Sequence, residues 1–212
     1  FEPISIGAIM HHGLAVGPAV PAEVKTLKDF LAWCKNNPDK ASFGSSGAGT
    51  QPHLIGSLLS LRSGIKLSHV PYRGTAPAVS DLAGGQIAAV MGPSGDFLSY
   101  YKAGKLRVLA TSGPQRNPYL PNVPTFAEQG FADLTAEEWF GFYANAKTPA
   151  DVRARAHAAI TAALKSDALK ESVGVVGLIA TSSTPEEMAR SQQAEFERWG
   201  PLVKQIGFTA DT

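Results

Sequence analysis

The sequence predicts an α/β fold in which strands and helices alternate to form parallel sheets. From residue 13 onward, short apolar runs alternate with helical patterns, and the turns between them are short. The run Ile87–Met91 is apolar without interruption, which is typical of a strand covered on both faces. The repeated strand–helix–strand order therefore predicts a parallel sheet with right-handed crossovers.

The first half of the chain supplies most of these strand and helix patterns. Thr26 and Asp29 have the form of a capping box, and Gly64 and Gly84 stand where two of the helices should end. The strands are expected at residues 14–16, 41–43, 66–70, 87–91 and 106–111, and the helices start near residues 26, 50, 76 and 95.

A second unit is predicted to begin near Trp139. Strands are expected at residues 140–144 and 175–180. A long helix should start with Pro149 at its first helical position, and the last helix should start in the same way at Pro185. The second unit is therefore also expected to be built from βαβ elements.

Composition and charge exclude several classes of function. The chain has 212 residues, 44% of them apolar, which suits a globular protein of one or two domains. Its 19 basic and 18 acidic residues form no cluster, so nucleic-acid binding is not expected. The single cysteine, Cys34, is expected in the core, and no apolar run is long enough to span a membrane. No signal peptide opens the chain, and Phe1 resembles the middle of a domain, so we expect a processed chain or a fragment.

The most informative motif is the glycine loop, residues 44–50, which joins the strand at 41–43 to a helix. Its glycines permit tight turns and the close approach of a ligand, and Thr50 stands at the expected N-cap of the helix. A loop rich in N–H groups at a helix N-terminus predicts an anion site, although a tight turn without a ligand remains an alternative. The loop lacks the lysine of a Walker A motif, and Ala48 replaces the second glycine of a nucleophile elbow.

A second loop, residues 72–75, repeats this arrangement at the end of the next strand. Gly74 permits an unusual backbone angle, and Thr75 offers a hydroxyl at a helix N-terminus. Because both loops should lie at the carboxyl edge of a parallel sheet, they are expected to converge on one ligand. Unpaired main-chain amides of the two loops would then hold a carboxylate without a buried lysine or arginine.

His11 and His12 have no third ligand at metal spacing, so no metal site is expected.

These motifs together resemble the Bug, or TctC-like, periplasmic solute-binding proteins of tripartite tricarboxylate transporters. The resemblance rests on segments that occur in the same order over nearly the whole chain: residues 43–50 with His53-Leu54, 69–74 with Pro77-Ala78, Asp81-Leu82 with 84–87, 103–107, and 123–125 with 128–130.

The resemblance implies a two-lobed, Venus-flytrap fold that captures a small organic carboxylate and delivers it to membrane permease subunits. One α/β lobe would cover residues 18–138, and the other would combine residues 1–17 and 139–212. The N-terminal part of that second lobe would be absent from this chain. The resemblance further implies a periplasmic monomer that is not an enzyme and needs no cofactor.

The candidate ligand-binding residues come from both loops and from the strand between them. His53 either contacts the ligand or packs beneath the glycine loop, while His69 is expected to be structural and Arg73 solvated. Ser94 is included because it could face the ligand, at a place where many relatives carry an acidic residue and this chain has Gly92-Pro93-Ser94. The full set is Ser46, Gly47, Gly49, Thr50, His53, Gly74, Thr75, Ala78 and Ser94.

Two other functions use the same loops. The chain could serve as the ligand sensor of a membrane receptor instead of a permease. An α/β enzyme could bind an acyl or phosphoryl substrate there, although no nucleophile, base and orienting acid occur together in a supporting motif.

Overall fold

The computed structural model describes residues 1–209, which fold into two compact units. The smaller unit contains Phe1–Met10 and Glu138–Leu202, and the larger contains His11–Glu137 together with the chain from Val203 onward. Among residues 1–209, no helix combines the length and apolar character that crossing a membrane requires.

Strands and helices alternate along most of the chain. The strands are β1 (Glu2–Met10), β2 (His12–Val16), β3 (Ser42–Ser45), β4 (Ser68–Pro71), β5 (Ala89–Pro93), β6 (Arg107–Thr111), β7 (Glu138–Ala144) and β8 (Ile179–Ala180). The α-helices are α1 (Leu27–Asn36), α2 (Gln51–Ser63), α3 (Thr75–Ala83), α4 (Leu98–Lys102), α5 (Ala150–Leu164), α6 (Asp167–Gly174) and α7 (Pro185–Gln205). Short 3-10 helices occupy Pro38–Lys40, Ser94–Phe97, Ala127–Gln129 and Ala132–Leu134.

The larger unit is built on a five-stranded sheet with the order β4-β3-β5-β2-β6. β3 is parallel to β4 and to β5, as the alternating pattern predicts. β2 is antiparallel to both β5 and β6, so the predicted parallel sheet is a mixed sheet at this strand. These hydrogen bonds also place residues 12–16 in the larger unit, whereas the family resemblance implied that residues 1–17 belong to the other lobe.

Helices cover this sheet with an apolar core. Ala89, Val90 and Met91 of β5 are fully buried, in agreement with the uninterrupted apolar run. Leu82 of α3 and Phe97 belong to the same buried cluster as Val90. The capping box of α1 forms as predicted between Thr26 and Asp29, and the left-handed Gly64 ends α2.

The smaller unit contains a three-stranded sheet with the order β7-β1-β8. Both pairings are antiparallel, so the parallel arrangement predicted for this unit is wrong. The expected strand at 175–180 shrinks to Ile179–Ala180, because only these residues pair with Ala8 and Ile9 of β1.

The helix starts predicted for this unit are confirmed only in part. Pro149 is the N-cap of α5 rather than its first helical residue. At the start of α7, the Thr184 hydroxyl accepts a hydrogen bond from Glu187 N, and the Glu187 carboxylate accepts one from Thr184 N. This reciprocal pair is a capping box, and it fixes Pro185 as the first residue of α7.

Candidate ligand site at the carboxyl edge of the larger sheet

The carboxyl ends of β3, β4 and β5 meet at one edge of the larger sheet. Because β2 runs in the opposite direction, its first residue lies at this same edge, where His12 pairs with Pro93. Ser45 pairs with Pro71 at the ends of β3 and β4. Ligands collect at such an edge because loops and helix N-termini there leave polar groups exposed.

The structure brings the two predicted loops together at this edge. Tyr72 N donates a 3.0 Å hydrogen bond to Ser45 O, and Gly74 N donates another of 3.0 Å to Ser46 O. Two backbone hydrogen bonds thus join the second loop to the glycine loop. The starts of α2 and α3 consequently lie beside each other, as expected from the parallel pairing of β3 and β4.

The amides of the glycine loop point largely inward, contrary to expectation. Gly49 N donates to His53 Nδ1 at 3.0 Å, and Thr50 N donates to Gly47 O at 3.4 Å. Gly47 N contacts the Ser45 hydroxyl at 3.4 Å, and Gly74 N is used as described above. The expectation that these four amides are unpaired is therefore wrong.

Other donors remain at the edge. Within residues 1–209 no hydrogen-bond acceptor is found for the N–H groups of Ser46 and Ala48. Thr75 and Ala76 form the first turn of α3, where N–H groups have no acceptor within the helix. These amides and the Ser46 hydroxyl are the groups through which the two loops can bind an anion.

Thr50 and Ala78 have different roles from those expected. Thr50 has the backbone angles of an N-cap, but its hydroxyl donates to Gly47 O at 2.7 Å instead of capping α2. This bond closes the glycine loop on itself. Ala78 lies on the face of α3 that packs against the apolar core. Its side chain is completely buried there and is not available to a ligand.

His53 and His69 lie stacked under the glycine loop, with ring centroids 3.9 Å apart. The His69 Nε2 atom lies 2.8 Å from the Ser45 hydroxyl, and Phe208 meets the other ring edge-on at 5.4 Å. His53 therefore packs beneath the loop through its Nδ1 atom, which is one of the two alternatives that the sequence left open. Both rings are half-buried.

An acidic group that was not among the predicted site residues is bonded to Thr75 of the second loop. The Asp96 carboxylate accepts a hydrogen bond from the Thr75 side chain and interacts electrostatically with His12. Partial burial of the carboxyl raises the pKa of Asp96, and the contacts with Thr75 and His12 oppose this effect. Asp96 lies two residues after the predicted Ser94, on the 3-10 helix Ser94–Phe97, and its position after β5 was the available signal.

Ser94 is buried and belongs to a chain of polar contacts. The Asn117 amide donates to Ser94 Oγ at 3.1 Å and lies 3.5 Å from His11 Nδ1. His11 Nε2 is 2.9 Å from the Glu137 carboxylate. Ser94 therefore presents an already bonded hydroxyl, and its neighbours His11, Asn117 and Glu137 were not among the predicted site residues.

His12 and Gln51 link the strand edge to the start of α2. His12 Nε2 lies 2.8 Å from Gln51 Oε1, and Gln51 Nε2 donates to Glu137 O at 3.4 Å. The adjacent histidines His11 and His12 at the start of β2 were the sequence signal for this polar cluster. Within the described part of the chain, no three His, Cys, Asp or Glu side chains are arranged to hold a metal ion.

Comparison with protein families gives a match over almost the whole chain. A family model described as "Tripartite tricarboxylate transporter family receptor" (TctC) matches residues 1–208. A Pseudomonas sp. (strain P51) protein, "UPF0065 protein in tcbD-tcbE intergenic region", is 34% identical over 100% of this chain and 62% of its own length. Protein BugT of Bordetella pertussis is 32% identical over 87% of this chain and 57% of its own length. The chain thus spans about 60% of the length of these curated relatives.

Solved structures share the fold over the same extent. One structure, described as that of a periplasmic transporter, has a TM-score of 0.87 and 35% sequence identity. The match covers 100% of this chain and 70% of the chain in that structure. The R. palustris protein Rpa4515, solved with adipate, has a TM-score of 0.86 and 28% identity, covering 98% and 69% of the two chains. The periplasmic binding protein BugD has a TM-score of 0.84 and 27% identity over the same shares, 98% and 69%.

Proposed function

Because the chain belongs to the tripartite tricarboxylate transporter receptor (TctC) family, as its motifs predict, we propose that it captures a small organic carboxylate for such a transporter. Periplasmic solute-binding proteins are its structural neighbours, and the two-unit α/β fold agrees with theirs. The activity is capture and release, and the partners are the membrane permease subunits. We propose a periplasmic location and a monomeric receptor for this chain.

One observation carries this proposal. The glycine loop and the second loop are hydrogen bonded side by side, so the start of α3 lies next to Ser46 at the carboxyl edge of the sheet. The N–H groups of Ser46, Ala48, Thr75 and Ala76 are the donors that the fold leaves available there. A carboxylate suits these donors because the positive end of a helix dipole favours an anion.

The binding energy needed is within reach of this arrangement. A hydrogen bond to a charged group contributes about 1.5–3 kcal/mol, and micromolar affinity needs about 8 kcal/mol. Several such bonds with some apolar contact would suffice. Ser46 supplies a side-chain hydroxyl beside the amides, and the Thr75 hydroxyl is used by the Asp96 carboxylate. Gly47, Gly49, Thr50 and Gly74 hold the loops in shape. Adipate is the first ligand to test, since a neighbour of 28% identity was solved with it.

Titration calorimetry of the 212-residue chain with adipate and a panel of mono- and dicarboxylates tests the proposal. We expect Ser46→Ala to weaken binding by about tenfold, because it removes one bond to a charged oxygen. Ser80→Ala is the matched control, since Ser80 lies exposed on α3 away from its first turn. Absence of binding across the whole panel, with the chain folded, would contradict the proposal.

A further inference from the structure

The glycine loop rests on a pair of imidazoles, His53 and His69, which we call the histidine pair. Gly49 N donates a 3.0 Å hydrogen bond to His53 Nδ1, so this nitrogen carries a lone pair and no proton. Gly49 itself has a φ of 76°, a conformation that suits glycine. The shape of the loop at this residue therefore depends on the protonation state of His53.

The surroundings of the histidine pair favour neutral rings. His53 stacks on His69 at 3.9 Å, and the other neighbours are Phe208 at 5.4 Å from His53 and Phe43 at 5.0 Å from His69. Among residues 1–209, the titratable side chain that faces each ring is the other ring of the pair. Among residues 1–209 neither ring has a carboxylate partner.

The electrostatics agree with this geometry. Burial lowers the pKa of His53. Burial, and then the proximity of His53, lower the pKa of His69 to about 4. Both rings are therefore neutral at neutral pH, and a proton on one opposes a proton on the other.

Protonation of His53 has a direct geometric consequence. An imidazolium donates from both nitrogens and accepts from neither, so the bond from Gly49 N is lost and two N–H groups face each other. Gly49 precedes Thr50, whose amide and hydroxyl both bond Gly47 O and close the loop. The loop can then leave the conformation in which Ser46 and Ala48 present their amides.

We propose that the histidine pair is an acid-sensitive lock that positions the glycine loop, so that protonation of His53 releases the loop and weakens ligand binding. His53 acts here as a positioning residue through Gly49 and not by contact with the ligand. The effect on ligand binding rests on the proposed function, whereas the effect on the loop does not.

NMR of the ¹⁵N-labelled chain between pH 7.5 and 4.5 tests the lock without a ligand. The ¹⁵N shifts of the His53 ring report when it becomes protonated. Over the same pH range, the protection of the Gly49 amide from hydrogen exchange should fall about tenfold, after correction for the intrinsic exchange rate. This change corresponds to about 1.4 kcal/mol, the contribution of one hydrogen bond. Protection that persists once His53 is charged would overturn the proposal. A His53 ring that stays neutral down to pH 4.5 would also overturn it.

His53→Asn provides the matching binding experiment, since Asn Oδ1 can accept from Gly49 N but does not titrate. The ratio of adipate affinities at pH 7.5 and 5.5 should be about two- to tenfold larger for wild type than for His53→Asn. Because the same ligand is used, its own protonation affects both proteins equally. His157→Asn, in the smaller unit, is the control and should keep the wild-type ratio.

The two proposals fail in distinguishable ways. If adipate and the other carboxylates bind neither protein at pH 7.5, the proposed function fails and the exchange of the Gly49 amide still decides the lock. If adipate binds and the two affinity ratios are equal, the link between the lock and ligand binding is overturned.

Discussion

The glycine loop and the second loop have the same sequence pattern but use their polar groups in opposite ways. In the glycine loop, Gly47, Gly49 and Thr50 direct their amides to acceptors within the loop and to His53. In the second loop, the first turn of α3 keeps its amides available and Thr75 holds the Asp96 carboxylate. A strand followed by glycine, a hydroxyl and a helix therefore predicts where a loop lies, but not where its amides point.

Ser45→Ala should have the largest effect on the glycine loop. The buried Ser45 hydroxyl lies 2.8 Å from His69 Nε2 and accepts a 3.4 Å hydrogen bond from Gly47 N, so its removal leaves two polar partners unsatisfied. We expect a loss of about 3 kcal/mol in the free energy of unfolding, measured by urea denaturation. Ser42→Ala on the same strand is the control, because the Ser42 hydroxyl makes only a 3.4 Å contact with Lys40 O. Equal losses for both variants would show that Ser45 does not support the loop.

Gly74→Ala tests the second loop, whose strain lies in the backbone. Gly74 has φ 98° and ψ 169°, a region that is almost exclusive to glycine, while no atom lies within 4 Å of an added Cβ. We expect a loss of about 2 kcal/mol in the free energy of unfolding from strain alone. Gly84→Ala at the other end of α3 is the control, because its φ of −79° is ordinary. A variant as stable as wild type would mean that the loop adopts another conformation.

Local sequence signals predicted the positions of the elements well, but not the direction of every strand. Caps at Thr26 and Thr184 and the left-handed Gly64 depend on neighbouring residues, so their patterns can be read directly. The apolar run that became β2 carries no information on direction, which is set by its bonds to β5 and β6. Val175 and Val176 are apolar but exposed, because they lie in the turn that follows α6 and outside β8.

The candidate site shows the same division between local and long-range information. The glycines and hydroxyls of both loops could be found from the sequence, because their pattern is local. The contacts of His11 with Glu137 and Asn117 join residues more than 100 positions apart, and no local pattern indicates them. The inward direction of the Gly49 amide likewise depends on His53 and its stack with His69, which comes from the next strand.

The stability of the larger unit should fall with acidification because of His69. Its pKa is lowered mainly by burial, from 6.5 to about 4, so the unfolded state binds more protons in this range. The contribution is complete above pH 6.5 and is lost as the pH falls towards 4. The ring is only half-buried and water screens its charge, so we expect an effect smaller than the two above. His69→Gln, whose amide can still reach Ser45, should show a flatter dependence of unfolding free energy on pH between 7.5 and 4.5, with His157→Gln as the matched control.

Asp96→Asn should have the smallest effect and probes the ligand side of the second loop. The Asp96 carboxylate is hydrogen bonded to the Thr75 side chain at the start of α3. It therefore repels a ligand carboxylate bound to the same turn. Two charges about 6 Å apart in water interact by about 0.7 kcal/mol, which predicts about threefold tighter binding of adipate to Asp96→Asn. Calorimetry at low and high salt measures this, and the gain should shrink as salt screens the charges. Asp39→Asn, on an exposed 3-10 helix, is the control. Weaker binding of adipate to Asp96→Asn would mean that the carboxylate helps to bind the ligand, and the second loop would then be a site for a donor group rather than for an anion.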